Sequence, residues 1–339
     1  MQQSKSIIKN SFWSYAGIVV LLFAGLITNI VLARLLDKEN WGVFSTLIAV
    51  ISFLLSISEL GINSYLSFTA SRSLDKGKEV VKKSLAAPLR YKTAIILLIG
   101  LLIFIFSGQL AELFHINDGA RYFMASAVYF ILLNFFGVFA VILDGLKQFK
   151  NESFTSAGHY LLRLIFSSIL VFLGFGIDGA LIGYILAITI ATLIQLYILK
   201  EVITLIGKPM ESIQEMFSYG FYVGLVSIAG TFSVWTDSVM VGFFIGSSSV
   251  GVYRIAVSLS TAAAGLLNGI SKVMFPYFAS AESSGKDSIK SLNIALKYSL
   301  FFTLPAMFGL ILSAEGIVKG FFGIQYIDST IPLIILSYL

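Results

Sequence analysis

Residues Phe12–Leu36 read FWSYAGIVVLLFAGLITNIVLARLL. Apolar and small side chains follow one another without a charged face, and the first charge comes only at Arg34. At 1.5 Å of rise per residue, a helix of this length crosses roughly 30 Å of hydrocarbon. A soluble helix of that length carries a charged stripe, and a strand ends after about ten residues. The stretch therefore predicts a transmembrane helix. Comparable runs follow at Trp41–Phe68, Leu85–Phe106, Ala120–Leu143, Phe154–Phe175, Ile177–Leu199, Phe217–Ile245, Val250–Phe278 and Leu292–Leu312, and another opens near Asp328. The pattern predicts nine full spans and part of a tenth.

Composition agrees. Of 339 residues, 57% are hydrophobic and 12% charged, against about 25% charged in an ordinary soluble domain. The mean hydropathy is +0.91. So little charge cannot coat a water-soluble body of this size, so lipid must solvate most of the surface. The excess of 23 Lys and Arg over 18 Asp and Glu is thus no sign of nucleic acid, because a bilayer sorts charges by side. Cys is absent, which excludes a zinc–thiolate site or a thiol nucleophile. His115 and His159 are too few and too far apart to suggest a metal site.

The loops alternate in charge. With the N-terminus in the cytoplasm, the inner segments carry Lys5, Lys9, Arg72, Lys76, Lys78, Lys82, Lys83, Lys147, Lys150, Lys200, Lys208, Lys286 and Lys290. The outer ones carry Arg34, Lys38 and Lys319. This bias predicts a multi-pass protein of the cytoplasmic (cell inner) membrane with its N-terminus inside.

The chain also repeats itself. ARLLDKENWGVF (Ala33–Phe44) aligns with GFFIGSSSVGVY (Gly242–Tyr253), so that Gly42 meets Gly251 and Phe44 meets Tyr253. The same register pairs Phe12 with Phe221 and Phe68 with Tyr277. Helix ends, the polar turn and the glycine all agree. This predicts two six-helix lobes, residues 1–208 and 209–339, related by a pseudo-twofold axis along the membrane normal. Two complete units need about 420 residues, so roughly 80–100 more are expected to complete the second.

Charges at membrane depth are costly and point to function. Arg163 in the fifth span and Arg254 near the start of the eighth are candidate anion ligands. Asp237, in VWTDSVMVG, is a candidate coupling site for a proton or sodium ion; Thr28 and the adjacent Asn29 are its repeat counterparts. Lys272 is placed to hold a phosphate where the eighth span nears the cytoplasm, opposite its counterpart Asn63. Arg34 is a further substrate-binding candidate, although with Lys38, Asp37 and Glu39 nearby it reads better as a headgroup contact. Asn134 and Gln195 read as interhelical hydrogen bonders. Asp144–Gly145 reads as a polar helix end with a glycine terminator, and Pro276 and Pro305 as kinks. There is no GxxxxGK[ST] motif and no long loop to house catalysis, so neither an enzyme nor a cofactor is expected.

The opening SFWSYAGIVVLLFAGLITNIVLARLLDKENWGVFS, the ELGINSYLSF closing the second run, LDGLKQFKN, and WTDSVMVGFFIGSSSVGVYRIAVSLS together resemble the polysaccharide transporter branch of the superfamily that includes multidrug extruders and lipid II flippases. The resemblance implies a MATE-like bundle of twelve or fourteen helices. It also implies alternating-access movement of polyprenyl-diphosphate-linked oligosaccharides, with cationic cavity residues. Membrane lipids, protons or sodium ions, glycosyltransferases and a glycan polymerase are the partners such a role brings. A cation-coupled multidrug exporter and a non-transporting scaffold for glycan assembly are the alternatives. The exporter prefers carboxylates in its cavity; the scaffold needs no cavity.

Overall fold

The computed structural model describes residues 2–204, 224, 226, 229–230, 234–283 and 288–338, with side chains from residue 17 onward except 266–296, 298, 299 and 302. Every regular element among them is helical. Six stretches are long and apolar enough to cross a membrane: Gly17–Leu35, Lys38–Glu59, Lys78–Ile105, Ala120–Gly145, Phe149–Leu199 and Thr303–Phe321. The protein is an all-α, multi-pass membrane protein. Part of the predicted seventh span, Phe217–Ile245, lies outside the described residues.

Helix α1 (Gln2–Leu35) hands over to α2 (Lys38–Glu59) through a tight turn. Asp37 caps α2, its carboxylate accepting from the Asn40 N–H at 2.8 Å, which satisfies one of the orphan donors of the first turn.

The run Trp41–Phe68 is not one helix. It breaks at Leu60 (φ 43°) and Gly61 (φ 73°), and α3 (Ile62–Ser73) continues in a new direction. Hydropathy hides this break, because Leu60 and Ile62 keep the run apolar. What holds it is a lysine. Lys92 of α4 (Lys78–Ile105) is 1% exposed and donates from Nζ to the Ser58 carbonyl at 2.7 Å, one of the carbonyls left over where α2 ends.

Helix α5 (Ser107–Leu113) leads into α6 (Ala120–Gly145). The expected glycine terminator is corrected here. Gly145 stays helical, and the left-handed residue is Lys147 at φ 58°. Gly145 is bare for packing, since a Cβ there would lie 2.5 Å from the Ser67 carbonyl of α3.

The stretch Phe149–Leu199 is a hairpin of α7 (Phe149–Leu170) and α8 (Gly176–Leu199), reversed where Gly174 and Gly176 adopt positive φ. The two helices run antiparallel. Gly183 lies against the Ser167 backbone, and Gln195 Nε2 donates to Thr155 Oγ1 at 3.0 Å. Around the turn Phe172 and Leu173 are 79% and 63% exposed, as suits side chains that face lipid.

The later helices are α9 (Val234–Phe244), α10 (Ser247–Ser283), α11 (Ser288–Phe321, with Pro305 inside it) and α12 (Thr330–Leu336). They meet the earlier ones at the end of the bundle that carries the α1–α2 turn. There Gly42 and Gly251, paired in the sequence repeat, touch backbone to backbone; a Cβ on Gly251 would lie 2.9 Å from Gly42 Cα. Trp41 Nε1 donates to the Gly251 carbonyl at 3.1 Å, and the Tyr326 hydroxyl donates to the Ala33 carbonyl at 2.8 Å. Lys38 pairs with Asp328 at 2.7 Å.

Candidate functional site

Two guanidinium groups from different parts of the chain approach one region below that closed end. Arg163 lies one helical turn after Tyr160 on α7, so both project from the same face. Its guanidinium stacks 4.3 Å from the Tyr160 ring centroid and 4.8 Å from that of Tyr184 on α8. Gly25 of α1 leaves space beside it, where even a Cβ would stand 3.7 Å from Arg163 Nη2. Arg254, on the second turn of α10, stacks 4.1 Å from the Trp235 ring on α9. A cavity of about 150 Å³ lies between α1, α7 and α10. Asn29, Tyr160, Arg254, Ser258 and Thr261 are its polar lining.

These charges are only partly offset. The Nε of Arg163 and an Nη of Arg254 are closed to solvent and have no hydrogen-bond partner. A desolvated cation–π contact is worth about 2 kcal/mol, whereas burying an ion costs several kcal/mol. Aromatic rings therefore stabilise the arginines only partly. Each retains an N–H donor without a partner, of the kind that hydrogen-bonds phosphate oxygens.

Asp237 stands next to this cluster, hydrogen-bonded to Tyr253, the residue before Arg254. Its carboxylate accepts from the Tyr253 hydroxyl at 2.5 Å and from the Ser238 N–H at 2.6 Å. Of its repeat counterparts, Thr28 bonds within its own helix to the Ala24 carbonyl at 2.6 Å, and Asn29 lines the cavity.

The structure puts Arg34 elsewhere. Its Nε donates to the Phe321 carbonyl at 2.6 Å and its Nη2 to that of Gly320, so it caps the C-terminus of α11, where a cation suits the helix dipole. Lys272 is in α10, but its side chain lies outside the described residues. Asn134 takes part in an interhelical contact, accepting from the Ser58 hydroxyl at 2.7 Å. Among the described residues no three His, Asp or Glu side chains gather as a metal site would require.

Sequence reasoning passed over four of these residues. Tyr160 sits at helical spacing from Arg163 and was legible as its neighbour. Tyr184 and Trp235 reach the arginines only through packing between helices. Lys92 carried the same signal as Arg163, a basic residue within an apolar run.

Bundle and cleft together define a polytopic membrane protein of MATE-like architecture. A solved structure described as the inward-facing conformation of a multidrug resistance MATE family transporter of the MOP superfamily superimposes with a TM-score of 0.71, covering 94% of this chain and 76% of that one at 17% identity. Residues 7–282 match the family described as "Polysaccharide biosynthesis protein". The chain belongs to that family. It is 23% identical over 325 residues, 95% of its own length, to the "Succinoglycan biosynthesis transport protein ExoT" of Rhizobium meliloti, of which the match covers 64%. It is 28% identical over 166 residues, 48% of its length, to the "Probable low-salt glycan biosynthesis flippase Agl15" of Haloferax volcanii, of which 35% is covered. The chain thus spans less than two thirds of either relative.

Proposed function

We propose that this chain moves polyprenyl-diphosphate-linked oligosaccharides across the cytoplasmic membrane by alternating access. The observation that carries the reading is the pair of enclosed, incompletely satisfied guanidinium groups at Arg163 and Arg254. A lipid diphosphate cannot shed its water in hydrocarbon without substitute partners, and two arginines supply them. The polyprenyl tail stays in lipid while the polar head follows the cleft. No covalent bond changes.

The isologous contact of Gly42 with Gly251 supports two lobes, 1–208 and 209–339, about a pseudo-twofold axis, since equivalent residues meet only at such an axis. The charged loops support an N-terminus in the cytoplasm. On that orientation the end closed by Trp41, Tyr326 and the Lys38–Asp328 pair faces outward, and substrate arrives from the cytoplasmic side. Asp237, linked to the cluster through Tyr253 and Arg254, is where a proton or sodium ion couples to the cycle. Glycosyltransferases that build the glycan and a polymerase that extends it are the partners of this role.

Fold likeness to a multidrug transporter favours a second reading, export of cationic drugs, with Asp237 as the cation's counter-charge. Arg254 in the cavity lining and Arg163 stacked behind Tyr160 oppose it by like-charge repulsion. Translocation of a lipid-linked oligosaccharide and efflux of a cationic dye, measured on the same reconstituted vesicles, separate the two readings.

A further inference from the structure

The arginine cavity, at about 150 Å³, is below the roughly 300–1,000 Å³ of ordinary small-molecule sites. It has room for a phosphate group but not for a glycan. A larger cavity of about 580 Å³ opens against the break between α2 and α3. It is lined by Glu59, Gly61, Asn63, Ser64, Ser67, Phe68, Ser71 and Val141. The three serines follow one another at helical intervals, so α3 offers one continuous hydroxyl face there. The Asn63 Oδ1 is shut off from solvent and accepts no hydrogen bond, while its Nδ2 reaches Glu59 at 3.4 Å.

This is not an anion site, because Glu59 would repel one. Nor does it suit a purely hydrophobic ligand, since Glu59, Asn63 and three serines line it beside Phe68 and Val141. A carboxylate that accepts from vicinal hydroxyls, a row of serines and an aromatic residue beside them match the chemistry of a sugar. We propose that this groove is the glycan subsite of the substrate whose diphosphate the arginines hold, an inference that rests on the flippase reading above.

Placement agrees with this division. Helices α2 and α10 both begin at the Gly42–Gly251 crossing and run away from it. Ser258, in the arginine cavity, lies ~10 Å along the axis from the crossing, and Glu59 lies ~25 Å from it. The groove thus lies farther from the closed end than the arginine cavity, in the order in which a diphosphate and its attached glycan follow one another. The broken helix has a role in this picture. By redirecting the chain at Leu60–Gly61, with Lys92 holding the Ser58 carbonyl, it turns the serine face of α3 toward the groove.

Two probes test the proposal on the purified chain in vesicles: a polyprenyl diphosphate carrying one glucose, and the same lipid carrying a glucose tetrasaccharide. Glu59→Gln, which keeps the side-chain shape, and Ser71→Leu, at an exposed position that will not disturb folding, are each expected to slow the tetrasaccharide probe about tenfold, the loss of roughly one good polar contact. The single-glucose probe should change less than about threefold, under 1 kcal/mol by the same relation. Arg163→Ala should slow both. Equal loss, or no loss, of the two probes in the Glu59 and Ser71 variants overturns the glycan subsite. A separate readout distinguishes its failure from that of the flippase reading. Free maltotetraose, which has no diphosphate, should raise the Tm of the wild-type chain and of Arg163→Ala but not of Glu59→Gln. A shift that persists in Glu59→Gln, or no shift in the wild type, overturns it. If neither lipid probe moves and the sugar still protects, the groove stands and the flippase reading falls.

Discussion

Arg163 and Arg254 each combine a stacked guanidinium face with one buried N–H donor that has no acceptor. Hydrogen bonds to charged groups contribute about 1.5–3 kcal/mol, so Arg163→Ala and Arg254→Ala are expected to slow substrate translocation by about ten- to a hundredfold, with membrane expression unchanged on immunoblots. Arg254→Lys should not restore the rate, because an ammonium cannot both stack on Trp235 and present a fork. Asp237→Asn keeps an acceptor for the Tyr253 hydroxyl but removes the charge. Transport by that variant should lose its dependence on proton or sodium gradients, and an undiminished dependence would remove Asp237 from coupling. The arginines and Asp237 were legible in the sequence for one reason: a charge within an apolar run is too costly to be incidental. Their aromatic partners were not legible, because Trp235 and Tyr184 meet the arginines across helix interfaces whose rotation no single-helix pattern specifies. Arg34 illustrates the converse. Its place at the end of the first span was plain, but the carbonyls it caps belong to a helix nearly three hundred residues later.

Helix positions were largely legible and helix breaks were not. The segments predicted at Ala120–Leu143 and Val250–Phe278 correspond to α6 and α10, because long apolar runs have few alternatives in lipid. The break at Leu60–Gly61 escaped, since the freed carbonyl is satisfied by Lys92 from another helix rather than by a local cap. Lys92→Met should therefore cost about 1–3 kcal/mol, the penalty for an unsatisfied buried carbonyl, read as a lowered Tm in detergent. Gly42 tests the interface between equivalent helices. A Cβ there would lie 2.5 Å from the Ser247 carbonyl, so Gly42→Val should destabilise by about 1–3 kcal/mol through overpacking. Gly77, which has open space around it but a φ of 95°, isolates the contribution of backbone strain when replaced by Ala.

At the scale of the whole molecule, alternating access requires the contacts at the α1–α2 end to part. Because the sequence contains no Cys, paired cysteines at Lys38 and Asp328, whose side chains now meet at 2.7 Å, report on that motion without background. A short bis-methanethiosulfonate should link them through two disulfides and arrest transport, and reduction should restore it. Transport that continues at full rate with the link in place would mean that this end need not open. The central claim is that an arginine cleft carries a lipid-linked diphosphate. Its most direct test is translocation of a polyprenyl-diphosphate oligosaccharide in vesicles holding the wild-type chain, Arg163→Ala or Arg254→Ala, with a cationic dye as competing cargo. The account predicts movement of the glycolipid by the wild type, its loss in both variants, and no dye efflux. Glycolipid movement at the wild-type rate in both variants, or dye efflux by the wild type, would contradict it.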